Sequence, residues 1–396
     1  MSNFDRKDDD TRGTERIISD REQGVRTRMK PWHAEHAAGR ITRPLGHNDT
    51  PLVSPLRVVV LMPLRDDWAS AAELIRLLDQ AISSYPCTVD VLLVDDGSVQ
   101  NFRSADFQFR FAVVRSIRIL RLRRNLGHQR AIAMGLVHID KAIPCDAVLV
   151  MDGDGEDTPD GALQLLRAFS GTTAIFAERS RRTEPFVFRL FYKLYKLLHR
   201  MLTGISVRVG NFSILPSRYL GTLVVMSELW NHYAAALLRS GLPFTTTRIP
   251  RGYRITGTSR MNFVSLTAHG MSAISVFGDV VGVRLLIASM AGSLMAALGI
   301  FSVTAIRIFA DRAIPGWATY SIGTLAIILV QLITMATSFT FTILFNRMNL
   351  SFVPLRDYEL FVAGAQDIYR GSVPIPVKNL KAYSPEKASM KNPGIS

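Results

Sequence analysis

Acidic side chains are concentrated in residues 152–157, where four of the six residues are Asp or Glu. The group directly follows an apolar run at 147–151 that is typical of a buried strand. Because alternate residues of an extended segment point to the same side, Asp152 and Asp154 can converge on one hard cation. Mg²⁺ or Mn²⁺ fits this group, since such ions bind a few carboxylates together with phosphate oxygens of a substrate.

A calcium-binding EF-hand loop is the main alternative for this run of acids. It requires a glycine at its sixth position and a bidentate glutamate at its twelfth. Asp157 and Leu163 stand at these positions, so the EF-hand pattern fails. A solvated acidic turn remains the second alternative, although a place directly after a strand favours a metal site.

A second acidic pair, Asp95-Asp96, also follows an apolar run. Apolar runs alternate with segments of helical period along this part of the chain; the runs cover 58–62, 89–94, 117–122 and 147–151, and the helical segments cover 68–82, 129–139 and 160–169. This order predicts an α/β fold with a doubly wound, mostly parallel sheet. Ligands of such sheets bind beyond the carboxyl ends of the strands, where both acidic groups fall.

Two long segments, 285–306 and 313–346, contain no charged residue. Each exceeds the roughly 20 residues that a helix needs to cross about 30 Å of hydrocarbon. A soluble pair of helices this long would not be apolar on every face. Basic residues are far more numerous outside the two segments than in the turn between them. The positive-inside rule therefore predicts a multi-pass protein of the cell inner membrane, with its catalytic domain and both termini in the cytoplasm.

The formal net charge of +14 raises the question of a nucleic-acid partner. Basic and acidic residues nearly balance in residues 1–56, whereas the excess lies in residues 179–218, where Glu184 is the only acid. A basic patch beside membrane segments is typical of contact with lipid headgroups or a lipid phosphate. No helix-turn-helix, zinc-finger or RNP pattern accompanies it. We therefore expect membrane lipids, and no nucleic acid, as partners.

Part of this basic patch has helical spacing at residues 186–202. Arg189, Lys193, Lys196 and Arg200 are four, three and four residues apart, which places them on one stripe of a helix. Aromatic and leucine side chains cover much of the remaining surface. This pattern is typical of a helix lying in the membrane interface, and an ordinary amphipathic helix with a solvated basic face is the alternative.

Five short motifs at about residues 57–265 resemble, in order, those of family two glycosyltransferases with the type A fold. The resemblance is to the branch of dolichyl-phosphate mannose synthase and the bacterial polyprenyl-phosphate glycosyltransferases with a two-helix anchor. The motifs are Pro63-Leu64-Arg65-Asp66-Asp67 for Pro-x-Tyr-Asn-Glu, Asp95-Asp96-Gly97-Ser98, Arg124-Asn125-Leu126-Gly127, Asp152-Gly153-Asp154-Gly155-Glu156 for Asp-x-Asp-x-Gln, and Arg254-Ile255-Thr256-Gly257-Thr258-Ser259-Arg260 for Arg-x-x-Gly-x-Ser-Lys.

The resemblance implies a site and a role for each matching residue. The residues implied to bind a UDP- or GDP-linked sugar are Pro63, Asp67, Asp95, Asp96 and Asn125. Those implied to hold Mg²⁺ or Mn²⁺ are Asp152, Asp154 and Glu156. The implied catalytic residues are Asp152, Asp154, Arg254 and Arg260, of which the two arginines lie near the diphosphate or the acceptor phosphate. The residues implied to grip the phosphate of the lipid acceptor are Arg179, Arg189 and Lys193.

Three of these positions depart from the family pattern. Arg65 replaces a tyrosine and Asp67 replaces a longer glutamate, which leaves the base specificity open. Glu156 replaces a glutamine and adds a negative charge to the acidic group. We expect this charge to tighten metal binding or to change the step that the metal assists.

The implied function is inverting transfer of a sugar from a nucleotide-sugar to a polyprenyl phosphate, which gives a polyprenyl-phosphate monosaccharide. A processive transferase similar to polysaccharide synthases is one alternative, but its Gln-x-x-Arg-Trp motif is missing. A non-catalytic membrane protein that binds a lipid-linked sugar is the other. Small residues on the first apolar segment, such as Gly292 and Ala296, are typical of helix faces that associate, which leaves a homo-oligomer open.

The patterns together divide the chain into six segments. We predict a disordered charged tail at 1–56, a glycosyltransferase domain at 57–265, a juxtamembrane segment at 266–284, transmembrane helices at 285–309 and 316–346, and a C-terminal tail at 347–396.

Overall fold

A computed structural model describes most of the chain after residue 54. The described residues are 55–100, 102–103, 107, 109–179, 197–204, 209–256, 263–309, 316–348 and 352–371. The predicted N-terminal tail up to residue 54 and residues 186–196 of the predicted interfacial helix lie outside them. Residues 197–203 are helical, as predicted for the end of that segment.

Eight strands form one sheet with the order β7-β5-β6-β4-β1-β2-β3-β8. The strands are β1 (Leu56–Leu64), β2 (Cys87–Asp95), β3 (Val114–Leu122), β4 (Ala147–Val150), β5 (Ala174–Arg179), β6 (Ser213–Pro216), β7 (Phe244–Ile249) and β8 (Val362–Arg370). Strand β1 pairs in parallel with β2 and β4, β2 with β3, and β5 with β7. Strand β6 runs antiparallel to β4 and β5, and β8 runs antiparallel to β3. The predicted mostly parallel α/β fold is confirmed.

The helices that bear on the site and the membrane are numbered in chain order. They are α1 (Trp68–Ile82), α2 (His128–Ala142), α3 (Pro159–Ala168), α4 (Leu220–Leu223), α5 (Tyr233–Arg239), α6 (Phe263–Ser275), α7 (Gly278–Phe309), α8 (Trp317–Met348) and α9 (Pro354–Asp357).

Both faces of the sheet are buried. Alternate residues of β1 face opposite sides, since side chains of a strand alternate. Val58, Val60 and Met62 lie in one core with α1 and α3, whereas Val59 and Leu61 lie in a second core with α2 and α5. A sheet covered on both faces explains why its strands are apolar without alternation.

Helices α7 and α8 are long and apolar enough to cross a membrane. They pack against each other through small residues of α7: a Cβ on Gly292 would lie 3.0 Å from Leu332, and one on Gly299 would lie 3.1 Å from Leu325. Large apolar side chains such as Phe301 remain exposed outside this seam. The exposed apolar surface indicates membrane association. The small residues that left a homo-oligomer open therefore pack, in part, within this pair.

Helix α7 begins at Gly278, seven residues before the predicted start of the first span at residue 285. The sequence pattern placed the start after Arg284 because a charged residue interrupts the apolar run. In the structure Arg284 Nη1 donates to the carbonyl of Met201, 2.9 Å away, so the helix continues through this position.

Residues 354–370 return to the sheet after α8, which corrects the prediction of a C-terminal tail at 347–396. Strand β8 pairs with β3, and Tyr358 Oη lies 2.6 Å from His138 Nδ1 of α2. The strand escaped prediction because it forms a half-exposed edge without apolar alternation. Strands that precede α7 and a strand that follows α8 share one sheet. The start of α7 and the end of α8 therefore both lie toward this sheet.

Candidate active site

Five loops meet at one edge of the sheet. Strands β1 to β4 are parallel, so the loops that follow them lie together at their carboxyl ends: 65–67, 95–98, 123–127 and 152–157. Strand β7 runs in the same direction, because it is parallel to β5 while β6 is antiparallel to both β5 and β4. The loop at 251–256 therefore reaches the same edge. Both acidic groups therefore lie at the carboxyl ends of the strands, as the sequence predicts.

Asp96 holds the loop that leads into α2. Its Oδ1 accepts a hydrogen bond from the backbone nitrogen of Leu126 at 2.6 Å, and its Oδ2 accepts one from Gly127 at 2.9 Å. Burial raises the pKa of Asp96, although these two backbone donors oppose the shift. Asp96 therefore shapes the Asn125 loop, whether or not it also touches a nucleoside.

Asp66 has a similar role that the sequence pattern did not reveal. It adopts a left-handed backbone conformation, with φ of 60°. Its Oδ1 accepts hydrogen bonds from the backbone nitrogens of Val99 at 2.7 Å and Gln100 at 2.8 Å, while Asp95 Oδ1 accepts one from Ser98 at 2.8 Å. Asp66 thus ties the loop after β1 to the loop after β2. The left-handed backbone that distinguishes Asp66 is a property of the structure and cannot be read from the sequence.

Asp152 lies in a network of side chains at the start of α2. His128 Nε2 is 3.1 Å from Asp152 Oδ1 and 3.0 Å from Asn211 Nδ2. Desolvation lowers the pKa of His128, but the carboxylate of Asp152, aided by Asp157 and Asp154, raises it above the ordinary value overall. A protonated His128 supplies positive charge next to Asp152.

Asp154 and Glu156 face two arginines of the 251–256 loop. Arg254 Nη2 lies 2.7 Å from Asp154 Oδ2, and its Nε lies 3.6 Å from Glu156 Oε1. Glu156 is 7% exposed and forms an ion pair with Arg251. The family-like motif contains Arg254 but not Arg251, so no sequence pattern revealed this second cation.

Backbone hydrogen bonds clamp the two loops together. The nitrogen of Gly252 donates to the carbonyl of Glu156 at 2.9 Å, and the nitrogen of Ile255 donates to the carbonyl of Asp154 at 3.0 Å. The positions of Arg251 and Arg254 are therefore fixed relative to the acidic loop.

No three His, Cys, Asp or Glu side chains converge as metal ligands among the described residues. Asp152 and Asp154 still fit a divalent cation, because each is a partly buried carboxylate that lies next to a positively charged side chain here, where a cation would also be attracted. Ions of this type need only one or two carboxylates when substrate phosphates complete the shell. Glu156 instead lies against Arg251, which differs from the expected three-carboxylate site.

The other predicted site residues fall into two groups. Pro63 is buried in β1, Asp67 immediately precedes α1, and Asn125 is exposed at the same edge. Arg179 ends β5, also at this edge, with only its backbone described. The remaining predicted residues lie outside the described part of the chain: Arg189, Lys193 and Arg260.

Known proteins are similar in sequence to this part of the chain. Residues 59–218 match the family described as Glycosyl transferase family 2. The chain is 25% identical over 254 residues to the "Uncharacterized glycosyltransferase YkcC" of Bacillus subtilis (strain 168), which covers 61% of this chain and 74% of the relative. It is 26% identical over 292 residues to the "Undecaprenyl-phosphate 4-deoxy-4-formamido-L-arabinose transferase" of Salmonella choleraesuis (strain SC-B67). This match covers 70% of this chain and 84% of the relative.

Among solved structures, glucosyl-3-phosphoglycerate synthase from Mycobacterium tuberculosis in complex with Mn²⁺, UDP-glucose and phosphoglyceric acid is similar at a TM-score of 0.41. It shares 15% identity and covers 57% of this chain and 80% of its own. A similarity this distant assigns no residue a role. The match to the family, the order of the strands and the acidic loop at the edge of the sheet agree with one another. The chain therefore contains a domain of glycosyl transferase family 2, which residues 59–218 match.

Proposed function

We propose that this protein transfers one sugar from a nucleotide-sugar to a polyprenyl phosphate, with inversion at the anomeric carbon. The observation that carries the proposal is the acidic loop at 152–157, which is clamped to the arginine loop at 251–256 in a chain with two membrane-type helices. The relative named as an undecaprenyl-phosphate transferase supports the choice of acceptor.

The donor would bind across the loops that follow β1, β2 and β3. Asp67 and Asn125 lie at this edge without the backbone hydrogen bonds that occupy Asp96, so they are the better candidates for direct contact with a nucleoside. Asp95 and Asp96 would shape the pocket through the turns that they hold. Arg65 is exposed beside them and replaces a tyrosine of the family pattern, so it is a candidate for base selection.

The diphosphate would lie at Asp152 and Asp154. A divalent cation, Mg²⁺ or Mn²⁺, held by these two carboxylates would act as a Lewis acid on the leaving diphosphate. Arg254 contacts Asp154 directly, so a diphosphate bound there meets a guanidinium that can form charge-assisted hydrogen bonds. Arg251 neutralises Glu156 and keeps the added negative charge of this residue away from the substrate.

The reaction needs no general base among these residues, because a polyprenyl phosphate is already an anion. One phosphate oxygen forms the new bond to the anomeric carbon as the bond to the nucleoside diphosphate breaks. The protein contributes positioning and electrostatic stabilisation of the leaving group. Arg179, Arg189, Lys193 and Arg260 are proposed to bind the acceptor phosphate or the diphosphate at the cytoplasmic face of the inner membrane.

A turnover assay with a panel of UDP- and GDP-linked sugars and one polyprenyl phosphate tests the proposal. We expect transfer that stops on chelation of divalent cations and falls about 100-fold or more in Asp154→Asn. Asp140→Asn, which changes an exposed carboxylate of α2, is the matched control and should retain turnover. Undiminished transfer by Asp154→Asn would show that the metal and diphosphate are placed wrongly.

A further inference from the structure

One face of the short helix α5 lies against the start of the membrane helices. His232, Ala235 and Arg239 are three and four residues apart, so they share that face. They contact residues 269–280, which comprise the end of α6, the start of α7 and the residues between these helices. We call this segment the elbow. The catalytic domain thus meets the membrane anchor through a defined surface.

Arg239 contributes most of the polar contacts on this surface. Its Nη1 and Nη2 donate to the two carboxylate oxygens of Asp279 at 2.7 and 3.0 Å. The same Nη1 donates to the carbonyl of Val276 at 2.9 Å, and Nε lies 3.1 Å from Glu228 Oε1. A guanidinium bound in this bidentate way fixes both the distance and the orientation of its partner.

The other two residues of the face complete the contact. Ala235 is buried in a small cluster with Ala273, Val276 and Phe277 of the elbow. His232 Nε2 lies 3.3 Å from His269 Nε2. His232 Nδ1 accepts a hydrogen bond from the backbone of Ala235, so in the neutral ring Nε2 carries the proton and donates to His269. The contact therefore has an apolar centre between two polar ends.

The amino end of α5 connects to the acidic loop. The backbone nitrogen of Tyr233 donates to Gln129 Oε1 at 2.8 Å, and Gln129 Nε2 donates to Asn211 Oδ1 at 3.1 Å. Asn211 Nδ2 is 3.0 Å from His128, which is 3.1 Å from Asp152. The first two bonds fix which atom of each amide is the donor, so Asn211 turns its amide nitrogen toward His128. The helix that touches the elbow thus also sets the surroundings of Asp152.

We propose that α5 fixes the elbow relative to Asp152, with Arg239 as the positioning residue, so that a lipid phosphate arriving from the membrane meets the donor in line. This inference rests on the proposed transfer to a lipid acceptor. Reacting groups displaced by about 1 Å lose up to about 100-fold in rate. A shift of the elbow therefore slows reaction with the lipid acceptor. Binding of the nucleotide-sugar at the sheet edge is unaffected.

Arg239→Met in the full-length protein in lipid nanodiscs tests this, because methionine keeps the packing of the aliphatic stem and removes the hydrogen bonds. We expect kcat/KM for undecaprenyl phosphate to fall about 10- to 100-fold, with the KM for the nucleotide-sugar and the Kd for its nucleoside diphosphate unchanged. Arg239→Lys should recover only part of the loss, since it keeps the charge and not the fork. Arg167→Met, on an exposed residue of α3, is the control. Equal loss in donor and acceptor parameters, or no loss, overturns the proposal.

Hydrogen exchange of the backbone at residues 273–280 gives a second readout that does not require turnover. Exchange there should be faster in Arg239→Met and in Asp279→Asn than in the wild type, with the strands unchanged. If the wild type transfers no sugar to any lipid, the proposed function fails while exchange still tests the contact. If exchange at the elbow is unaltered, the contact fails while the transfer can stand.

Discussion

At the scale of single residues, the pair formed by Glu156 and Arg251 decides what the acidic loop can bind. Glu156 is buried, and both of its oxygens face guanidinium groups of Arg251 and Arg254. A carboxylate neutralised in this way adds little negative potential to Asp152 and Asp154. We therefore propose a structural role for Glu156 in place of the tighter metal binding that the sequence predicts.

Glu156→Gln tests that role. We expect the free energy of unfolding to fall by about 1–3 kcal/mol, because Arg251 loses a charged partner in a largely buried place. Affinity for Mn²⁺, measured by electron paramagnetic resonance, should change less than about threefold, which is below the effect expected for a lost ligand. Arg251→Met added to Glu156→Gln should recover part of the stability. A large loss of Mn²⁺ affinity with unchanged stability would instead make Glu156 a metal ligand.

Gly97 shows how one residue without a side chain permits the site. Its φ is +69°, and an added Cβ would lie 2.7 Å from the backbone nitrogen of Asn125. Gly97→Ala should therefore lower stability and nucleotide affinity together, since it pushes away the loop that Asp96 holds. Gly171→Ala is the control: its φ is +77°, with nothing within 4 Å of the added carbon. In both variants the left-handed backbone costs about 1–2 kcal/mol of stability. Only the difference in stability between the two variants therefore measures the clash. Equal nucleotide affinity in the two variants would contradict this account.

At the scale of elements, sequence predicted the strands that carry the site better than the strand that closes the sheet. Strands β1, β2 and β4 are continuous apolar runs because both faces of the sheet are covered. Strand β8 is a half-exposed edge containing Gly364 and Asp367, and its residues resemble a loop until β3 lies beside them. Within the site, contacts between loops distant in sequence, such as Glu156 with Arg251, had no local pattern to reveal them.

The contact between α2 and the C-terminal segment has a pH dependence with a definite sign. Burial, and then Arg118, lower the pKa of His138 to about 4. The pKa of a histidine in an unfolded chain is about 6.5. Between roughly pH 6.5 and 4 the unfolded chain therefore binds a proton that the folded chain does not. Stability is therefore lost as the pH falls through this window.

His138→Gln removes this titration while keeping a partner for Tyr358 Oη, which lies 2.6 Å from the ring nitrogen. We expect the drop in Tm between about pH 7.5 and about pH 5.5 to be smaller in the variant than in the wild type. Thermal unfolding in detergent measures it. A drop of the same size in both proteins would show that His138 is not kept neutral by the fold.

At the scale of the whole molecule, the long apolar helices α7 and α8 lie in the chain between two strands of one sheet. Strand β7 precedes the pair, and β8 follows it and pairs with β3. Since α7 and α8 run side by side in opposite directions, the end near Trp317 points away from the sheet. We therefore predict that, in a bilayer, the end of α8 near Trp317 and the sheet lie on opposite sides.

Single cysteines test this topology in a background without Cys87 and Cys145. Thr319→Cys, at the turn end of α8, and Gln366→Cys, on exposed β8, are both open to solvent in the isolated chain. A thiol reagent that does not cross membranes should label only the first in right-side-out vesicles and only the second in inverted ones. Labelling of both from the same side would rule out a spanning pair.

The mass of the lipid after the reaction separates transfer of one sugar from every other outcome. Undecaprenyl phosphate incubated with the full-length protein, Mg²⁺ and the preferred nucleotide-sugar should gain the mass of a single sugar residue, and the same reaction with Asp154→Asn should leave the lipid unchanged. A ladder of longer products would indicate a processive transferase. A lipid of unaltered mass with every nucleotide-sugar, while the nucleotide-sugar still binds, would contradict the account and indicate a protein that binds without transfer.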